Sequence, residues 1–342
     1  MNLELKPAAK TKTIFLFGYF GAGNIGDELI LTAFLTMLDS RAVHFDVIVA
    51  CGGGAGTPDY VLKYPNLNIR FIERSKNPLC INNVKAFGSS YAFIMPGGGI
   101  FQDYGTLSFL CYYSFLVCAR AAGVKNYLLY QGFTGLKKPL FKKMMSFASS
   151  RLTDYMSVRD EESAKFLPSG SFQNGSGHGI YADPAFALNT AVRIAVKEKS
   201  PAASGERFIG ISLRAWKDSR ADDIAGALMK ISESTGLKIK LYSMQKKADC
   251  DLNSAVLSSP KCPAGDKIRM VEYTADVFEL AGSLAENELN IGMRFHFTAV
   301  SMMAGVPCVG IAYDEKVSRL YESAGLSELC VSKTDFACGP GD

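Results

Sequence analysis

The sequence predicts an α/β protein built as two Rossmann-like, doubly wound domains facing a cleft. Three observations carry this. At 342 residues the chain exceeds the size at which one hydrophobic core usually stops growing. Short apolar runs of strand length alternate with helix-length segments twice along it. A polar stretch, "SPAASGE" at 200–206, separates the two series.

In the first half, strands are expected over 13–20 (TIFLFGYF), 44–51 (HFDVIVAC), 69–72, 92–97 (AFIMPG), 126–132 (NYLLYQG) and 155–160 (YMSVRD). Helices are expected over 27–38, 107–122 and 138–151. Near-continuous apolar strands joined through helices imply a parallel sheet covered on both faces. Residues 189–206 show no clear period, so the boundaries are set at 1–190, a linker at 191–206, and 207–342. The second half repeats the alternation, with strands over 208–214, 237–244, 268–273, 288–293 and 308–313 and helices over 221–235, 275–285 and 295–304.

Composition narrows the function classes. With 37 Lys+Arg against 33 Asp+Glu, the charge balance argues against nucleic acid as a bulk electrostatic partner, so any anion site must be local. The nine cysteines are an odd number without a CxxC pair, which reads as reduced, mostly buried thiols, no metal site and a cytoplasmic protein. The charged start "MNLELKPAAKTK" is unlike a signal peptide, and the longest apolar stretch, 107–119, falls short of the ~20 residues needed to cross a bilayer. Residues 135–152 place Lys137, Lys138, Lys142, Lys143 and Arg151 opposite Leu140, Phe141, Met144, Met145 and Phe147. That pattern suits peripheral contact with an anionic membrane and equally a helix covering a sheet with its basic face in water.

In doubly wound sheets ligands bind at the carboxyl ends of strands, which ranks the motifs. "GAGNIGDE" (21–28) has G-x-G-x-x-G spacing, formally a dinucleotide fingerprint, yet the next strand ends in "VIVACGGGAG" without the acid that would hold a ribose. Asn24, Asp27 and Glu28 sit where a phosphate would lie and suit sugar hydroxyls or proton removal, while a plain helix cap is the structural alternative for Asp27. "MPGGGIFQD" offers close backbone approach at Gly98 and polar side chains at Gln102 and Asp103. Arg159 and Arg214 end strands, and Arg159 has Asp160, Glu161 and Glu162 as nearby ion-pair candidates. The densest cluster is "IGMRFHF": Arg294 and His296 open a helix whose free N–H groups favour an anion, and Lys316 follows the next strand.

Taken in order, "GYFGAGNIGDELIL", "MPGGGIFQD", "YQGFTGL", "SVRDEES", "ADPAFAL", "GISLRAW" and "IGMRFHFTAVSMMAGVPCVGIAYDEKV" resemble the polysaccharide pyruvyl transferase family over roughly residues 14–326. One departure is Phe133–Thr134, where relatives more often carry Ile-Gly-Pro. The resemblance implies a GT-B-like fold and transfer of a pyruvyl group from phosphoenolpyruvate, as co-substrate and without a cofactor, to two hydroxyls of a sugar as a cyclic ketal. The implied acceptor is N-acetylmannosamine on a lipid-linked cell wall polymer precursor, met at the inner face of the cytoplasmic membrane. Carried over by residue, it implies Arg159, Arg294 and Lys316 as phosphoenolpyruvate ligands and His296 as acid/base. Asp27 and Glu28 then serve as carboxylates beside the developing charge, and Asn24, Gly98, Gln102 and Asp103 as acceptor contacts. The competing readings are a nucleotide-sugar glycosyltransferase and a non-catalytic sugar-binding protein.

Overall fold

The computed structural model describes residues 12–52, 64–102, 105–133, 136–167, 178–198, 205–215, 220–262, 267–313 and 315–332. The elements in chain order are β1 (Lys12–Phe17), α1 (Ile25–Asp39), β2 (Phe45–Cys51), β3 (Leu67–Glu73), α2 (Ile81–Ser89), β4 (Ala92–Met95), α3 (Thr106–Ala121), β5 (Lys125–Gln131), α4 (Pro139–Phe147), β6 (Tyr155–Val158), α5 (Glu161–Ala164) and β7 (His178–Ile180). There follow α6 (Asn189–Glu198), β8 (Phe208–Ser212), α7 (Ala221–Thr235), β9 (Lys238–Tyr242), α8 (Ala248–Leu257), β10 (Ile268–Val271), α9 (Val277–Leu284), β11 (Leu289–Gly292), α10 (Phe295–Ala304), β12 (Cys308–Ala312), α11 (Glu315–Ser323) and β13 (Cys330–Ser332).

The strands form two all-parallel sheets, ordered β3-β2-β1-β4-β5-β6-β7 and β10-β9-β8-β11-β12-β13. In each, the order reverses beside the first strand, at β1/β4 and β8/β11, and that switch point opens a crevice at the carboxyl edge. The loops leading to Gly98, to Arg214 and to Arg294 and His296 all leave switch-point strands.

The chain divides into two compact units: residues 1–22 with 34–184, and residues 23–33 with 185–342. This corrects the expected boundaries at both ends. The linker expected over 191–206 is in part α6, whose Val192 is buried among Leu280, Leu284, Phe297 and Val300 of the second unit. Residues 199–204 lie outside the described set. Only Val192 of α6 is buried, and pattern reading merged this amphipathic helix with the polar stretch that follows it. The first half of α1 also belongs to the second unit. Ile25, Leu29 and Ala33, at i, i+4 and i+8, are buried in the same apolar cluster.

In the first unit, phenylalanines from the strands and from α2, α3 and α4 fill one core. Phe17 stacks on Phe115 at 3.8 Å and Phe109 on Phe141 at 4.0 Å. That dense aromatic packing on one face of the sheet places α2, α3 and α4 side by side. The second core, around Ile209, Ile211, Leu228, Ile239 and Leu241, holds β8 and β9 under α7. Eight cysteines among the described residues are free thiols, but only Cys308 is buried, contrary to the expectation that most would be.

Candidate functional site

The second unit brings together three segments that are distant in sequence. The glycine-rich segment runs into α1 alongside the loop after β9: Lys246 N–H donates to Gly23 O at 2.8 Å, Ile25 N–H donates to Met244 O at 3.1 Å, and Asn24 bridges Gln245. Gly23 has a φ of +75°, and a β-carbon there would stand 2.8 Å from that of Lys246. Gly26 lies under the imidazole of His296. A β-carbon at 26 would stand 2.8 Å from Cε1 and 3.0 Å from Cγ, and closer still to Nδ1. The glycine spacing that mimics a nucleotide fingerprint is here a requirement for close packing against the protein's own chain.

Arg294 stands at the N-cap of α10, with extended backbone and no side-chain cap. Its Nε donates to Asp249 Oδ2 at 3.2 Å, and its Nη2 donates to Asp249 Oδ1 and, at 3.2 Å, to Gln245 Oε1. Asp249 is 1 % exposed, and its Oδ2 also accepts from the backbone N–H groups of Met244 and Gln245 at 3.1 and 3.0 Å. Burial pushes the Asp249 carboxyl above the usual range, and the neighbouring guanidinium pulls it back. The arginine expected from sequence as a bare anion ligand is therefore anchored on one edge, which fixes its orientation and offsets its charge.

At the start of α1, Asn24 Nδ2 donates to Asp27 Oδ2 at 2.5 Å, and Asp27 N–H donates to Asn24 O at 3.0 Å. The chain of contacts Asp27–Asn24–Gln245–Arg294–Asp249 runs through both segments beside His296. Glu28, in the first turn of α1, is buried at 3 % exposure. His296 is half-buried in the first turn of α10, with the Phe295 ring edge-on at 5.0 Å. Lys316 is half-buried in the first turn of α11. At the carboxyl end of β8, Arg214 covers the Tyr313 ring at 4.8 Å and donates to its hydroxyl.

The first unit carries the other expected residues. Arg159 follows β6, and its N–H donates to Gln131 O at 3.2 Å. Its Nη1 donates to Asp183 Oδ2 at 2.7 Å, with side-chain exposures of 7 % and 2 %. The aspartate of "ADPAFAL" is thus an ion-pair partner that its neighbours did not suggest, while Asp160 accepts from Ser163 N–H at 2.7 Å and Glu162 pairs with Lys165. The guanidinium lies over Gly132, where a β-carbon would stand 2.5 Å from Nε. Gly98 has a φ of +96°, bridges Gln131, and accepts from Gly132 N–H at 3.0 Å. Gln102 folds back so that its Nε2 fills the space beside Gly99. Asp103 lies outside the described residues.

Sequence reading named Arg294 and His296 but missed Asp249 and Gln245, which hold the arginine. Their signal was faint: the loop "MQKKADCD" follows a strand at the binding edge, and an acid buried beyond it needs a cation. Among the described residues, no three His, Cys, Asp or Glu side chains gather as metal ligands would.

Two parallel, doubly wound sheets with site residues at their carboxyl ends define a GT-B-like protein, and solved structures share the fold. A putative UDP-N-acetylglucosamine 2-epimerase from Listeria monocytogenes superposes with a TM-score of 0.63 at 13 % identity, covering 96 % of this chain and 86 % of that one. The UDP-GlcNAc 2-epimerase of Methanocaldococcus jannaschii gives 0.59 at 12 %, covering 94 % and 88 %, and the trehalose-6-phosphate synthase OtsA gives 0.58 at 10 %, covering 95 % and 89 %. The chain belongs to the polysaccharide pyruvyl transferase family, whose model it matches over residues 24–315. It is also 25 % identical over 262 residues to the amylovoran biosynthesis protein AmsJ of Erwinia amylovora. That match covers 70 % of this chain and only 60 % of the relative's length.

Proposed function

We propose that the protein transfers the pyruvyl group of phosphoenolpyruvate to two hydroxyls of a sugar as a cyclic ketal, releasing phosphate. The observation that carries this reading is the seating of His296. Its imidazole is fixed against Gly26 in the first turn of α10, whose N-cap is an anchored arginine, and the helix that holds Gly26 carries Asp27 and Glu28 in its first turn. Family membership and the biosynthetic role named for the Erwinia relative support a polysaccharide acceptor.

The chemistry follows from that geometry. Phosphoenolpyruvate carries a phosphate and a carboxylate, and the N-terminus of α10, with Arg294 Nη1 and Lys316, supplies donors for them. His296 in its charged form gives a proton to the methylene carbon, turning it into a methyl group. One sugar hydroxyl then attacks C2, phosphate leaves, and a second hydroxyl closes the ring. The two hydroxyl protons balance the one taken by carbon and the one that departs with phosphate. Positive charge developing at C2 is stabilised by Asp27 and Glu28, and a carboxylate also accepts the attacking hydroxyl's proton. Arg159, locked onto Asp183, is a fixed cation at the carboxyl edge of the first sheet. The acceptor in this reading is N-acetylmannosamine of a lipid-linked cell wall precursor, and Asn24 offers it an amide beside the same segment.

The test is mass spectrometry of lipid-linked sugars incubated with the protein and phosphoenolpyruvate. A product carrying a pyruvyl ketal, lost in His296→Ala by about two orders of magnitude or more, supports the assignment. Tight binding of a nucleotide sugar with no binding of phosphoenolpyruvate would replace it with a glycosyltransferase.

A further inference from the structure

Charge is distributed unevenly along this chain. Across residues 74–153 the sequence holds ten Lys or Arg and a single acid, Asp103, against a net charge of +4 for all 342 residues. That region forms α2, α3 and α4, which lie side by side on one face of the first sheet. Among the described residues, eight of the fifteen exposed large apolar side chains also belong to these helices and their lead-ins.

The most exposed of the eight cluster at one end. Leu79 is 70 % exposed, Ile81 68 %, Leu107 84 % and Leu140 65 %, each just before or within the first turn of its helix. In a parallel sheet every such helix starts at the carboxyl edge of the strands, so the four share a rim. Two contacts tie that rim together: Lys138 Nζ donates to Thr106 Oγ1 at 3.0 Å, and Cys111 Sγ donates to the carbonyl of Lys76 at 3.2 Å. Lys76, Lys137 and Lys138 are exposed beside the leucines. The glycine turn at Gly97–Gly98 and Arg159 occupy the same edge of the same sheet.

We infer that this rim is a docking surface for an anionic lipid bilayer. Long aliphatic side chains standing singly in water cost free energy and recover it in the headgroup and acyl boundary, and lysines among them attract anionic headgroups. The sequence alone confined the possible contact to residues 135–152, whereas the fold adds α2 and α3 and places the insertion points at the helix N-termini. No helix among the described residues is long and apolar enough to cross a membrane, so the contact is interfacial. The inference stands independently of the pyruvyl transfer reading. The charge excess selects a bilayer over a second copy of this chain, whose identical rim would repel it.

Co-sedimentation with vesicles tests it. The full chain should bind phosphatidylcholine vesicles containing about a third phosphatidylglycerol, not pure phosphatidylcholine, and should release at about 0.5 M salt, where screening acts over a few ångströms. Two variants are compared: Lys137, Lys138, Lys142 and Lys143 all changed to Gln, and Leu79, Ile81, Leu107 and Leu140 all changed to Ser. Each should lower the partition coefficient at least about tenfold while leaving the circular dichroism unchanged and the melting temperature lower by at most about 4 °C, because all eight side chains are exposed and the lysine variant gives up a surface hydrogen bond, to Thr106. Equal binding to neutral and anionic vesicles, or unaltered binding by both folded variants, overturns the proposal. So does light scattering that shows the serine variant losing only self-association.

Discussion

Replacing Arg294 by Met is the most informative perturbation of the site, because the arginine is committed to a buried acid before any ligand arrives. Asp249 is 1 % exposed on its side chain and Arg294 16 %. Removing the guanidinium leaves a carboxylate held only by the N–H groups of Met244 and Gln245. Breaking a buried pair from one side costs about 3–5 kcal/mol, and the partial exposure of Arg294 puts the expectation near the lower figure. For a unit of this size that corresponds to a melting shift of about 6–12 °C.

The loss should depend on pH, with a definite sign. Burial already raises the Asp249 carboxyl, and without Arg294 it rises further. A raised acid contributes stability that is present at low pH and disappears as pH climbs through the folded-state value. The Arg294→Met deficit should therefore be small near about pH 4 and largest near about pH 8. Adding Asp249→Asn removes the charge while its amide oxygen still accepts a backbone N–H, so the double variant should recover at least about 1 kcal/mol at the higher pH. Thermal and urea unfolding by circular dichroism, without ligand, measure this. A deficit under about 1 kcal/mol that is flat with pH would show that the ion pair does not hold the site.

Gly26→Ala pushes a methyl group into the His296 imidazole, and transfer activity should fall about a hundredfold, as expected for a misplaced acid/base. In a His296→Ala background the same change should add little, and full additivity would show that Gly26 acts elsewhere. Gly210→Ala drives a β-carbon into the buried Asn287–Asn290 pair, whose hydrogen bond is 2.9 Å, and should cost about 2–4 kcal/mol in urea unfolding. Arg159→Lys loses planar contact across Gly132 with Asp183 and should destabilise the first unit by about 1–3 kcal/mol, read as an earlier melting phase. Burial pushes the Cys308 thiol up to about 11, so at pH 8 only about a thousandth is thiolate. Its alkylation, followed by peptide mass spectrometry, should appear only on unfolding.

The alternation of apolar strands and helices was legible because parallel strands buried on both faces need continuous apolar runs, as in FLF of β1 and VIVA of β2. Part of what escaped was short or weakly patterned. The three-residue edge strands β7 and β13 carry too few residues for a period, and α8, "ADCDLNSAVL", spends its polar residues on buried hydrogen bonds: Asp249 to backbone and Asn253 to Ser243. That Arg294 and His296 open a helix was legible from the sequence, and the structure places them at the N-cap and first turn of α10. The partners that orient them were not, because Asp249 and Gly26 lie tens to hundreds of positions away. Arg159 shows the same limit on a shorter scale. Nearest-neighbour acids were the natural guess, but they are exposed or cap a helix, and the pairing goes to Asp183 across the β6–β7 edge.

The glycine loop shows how one spacing serves two physical ends. In a dinucleotide fold, G-x-G-x-x-G clears room for a pyrophosphate over a helix N-terminus. Here the room over Gly23 and Gly26 is taken by Lys246 and His296, and the first turn of α1 already carries Asp27 and Glu28, which repel a phosphate. The two uses exclude each other, since a side chain and a diphosphate cannot share one volume. At α10, by contrast, the N-cap makes no side-chain hydrogen bond to the helix and its arginine is oriented by Asp249. If the proposed transfer holds, the acids at α1 suit a cationic transition state and the N-terminus of α10 an anionic donor, with His296 of α10 packed against Gly26 of α1.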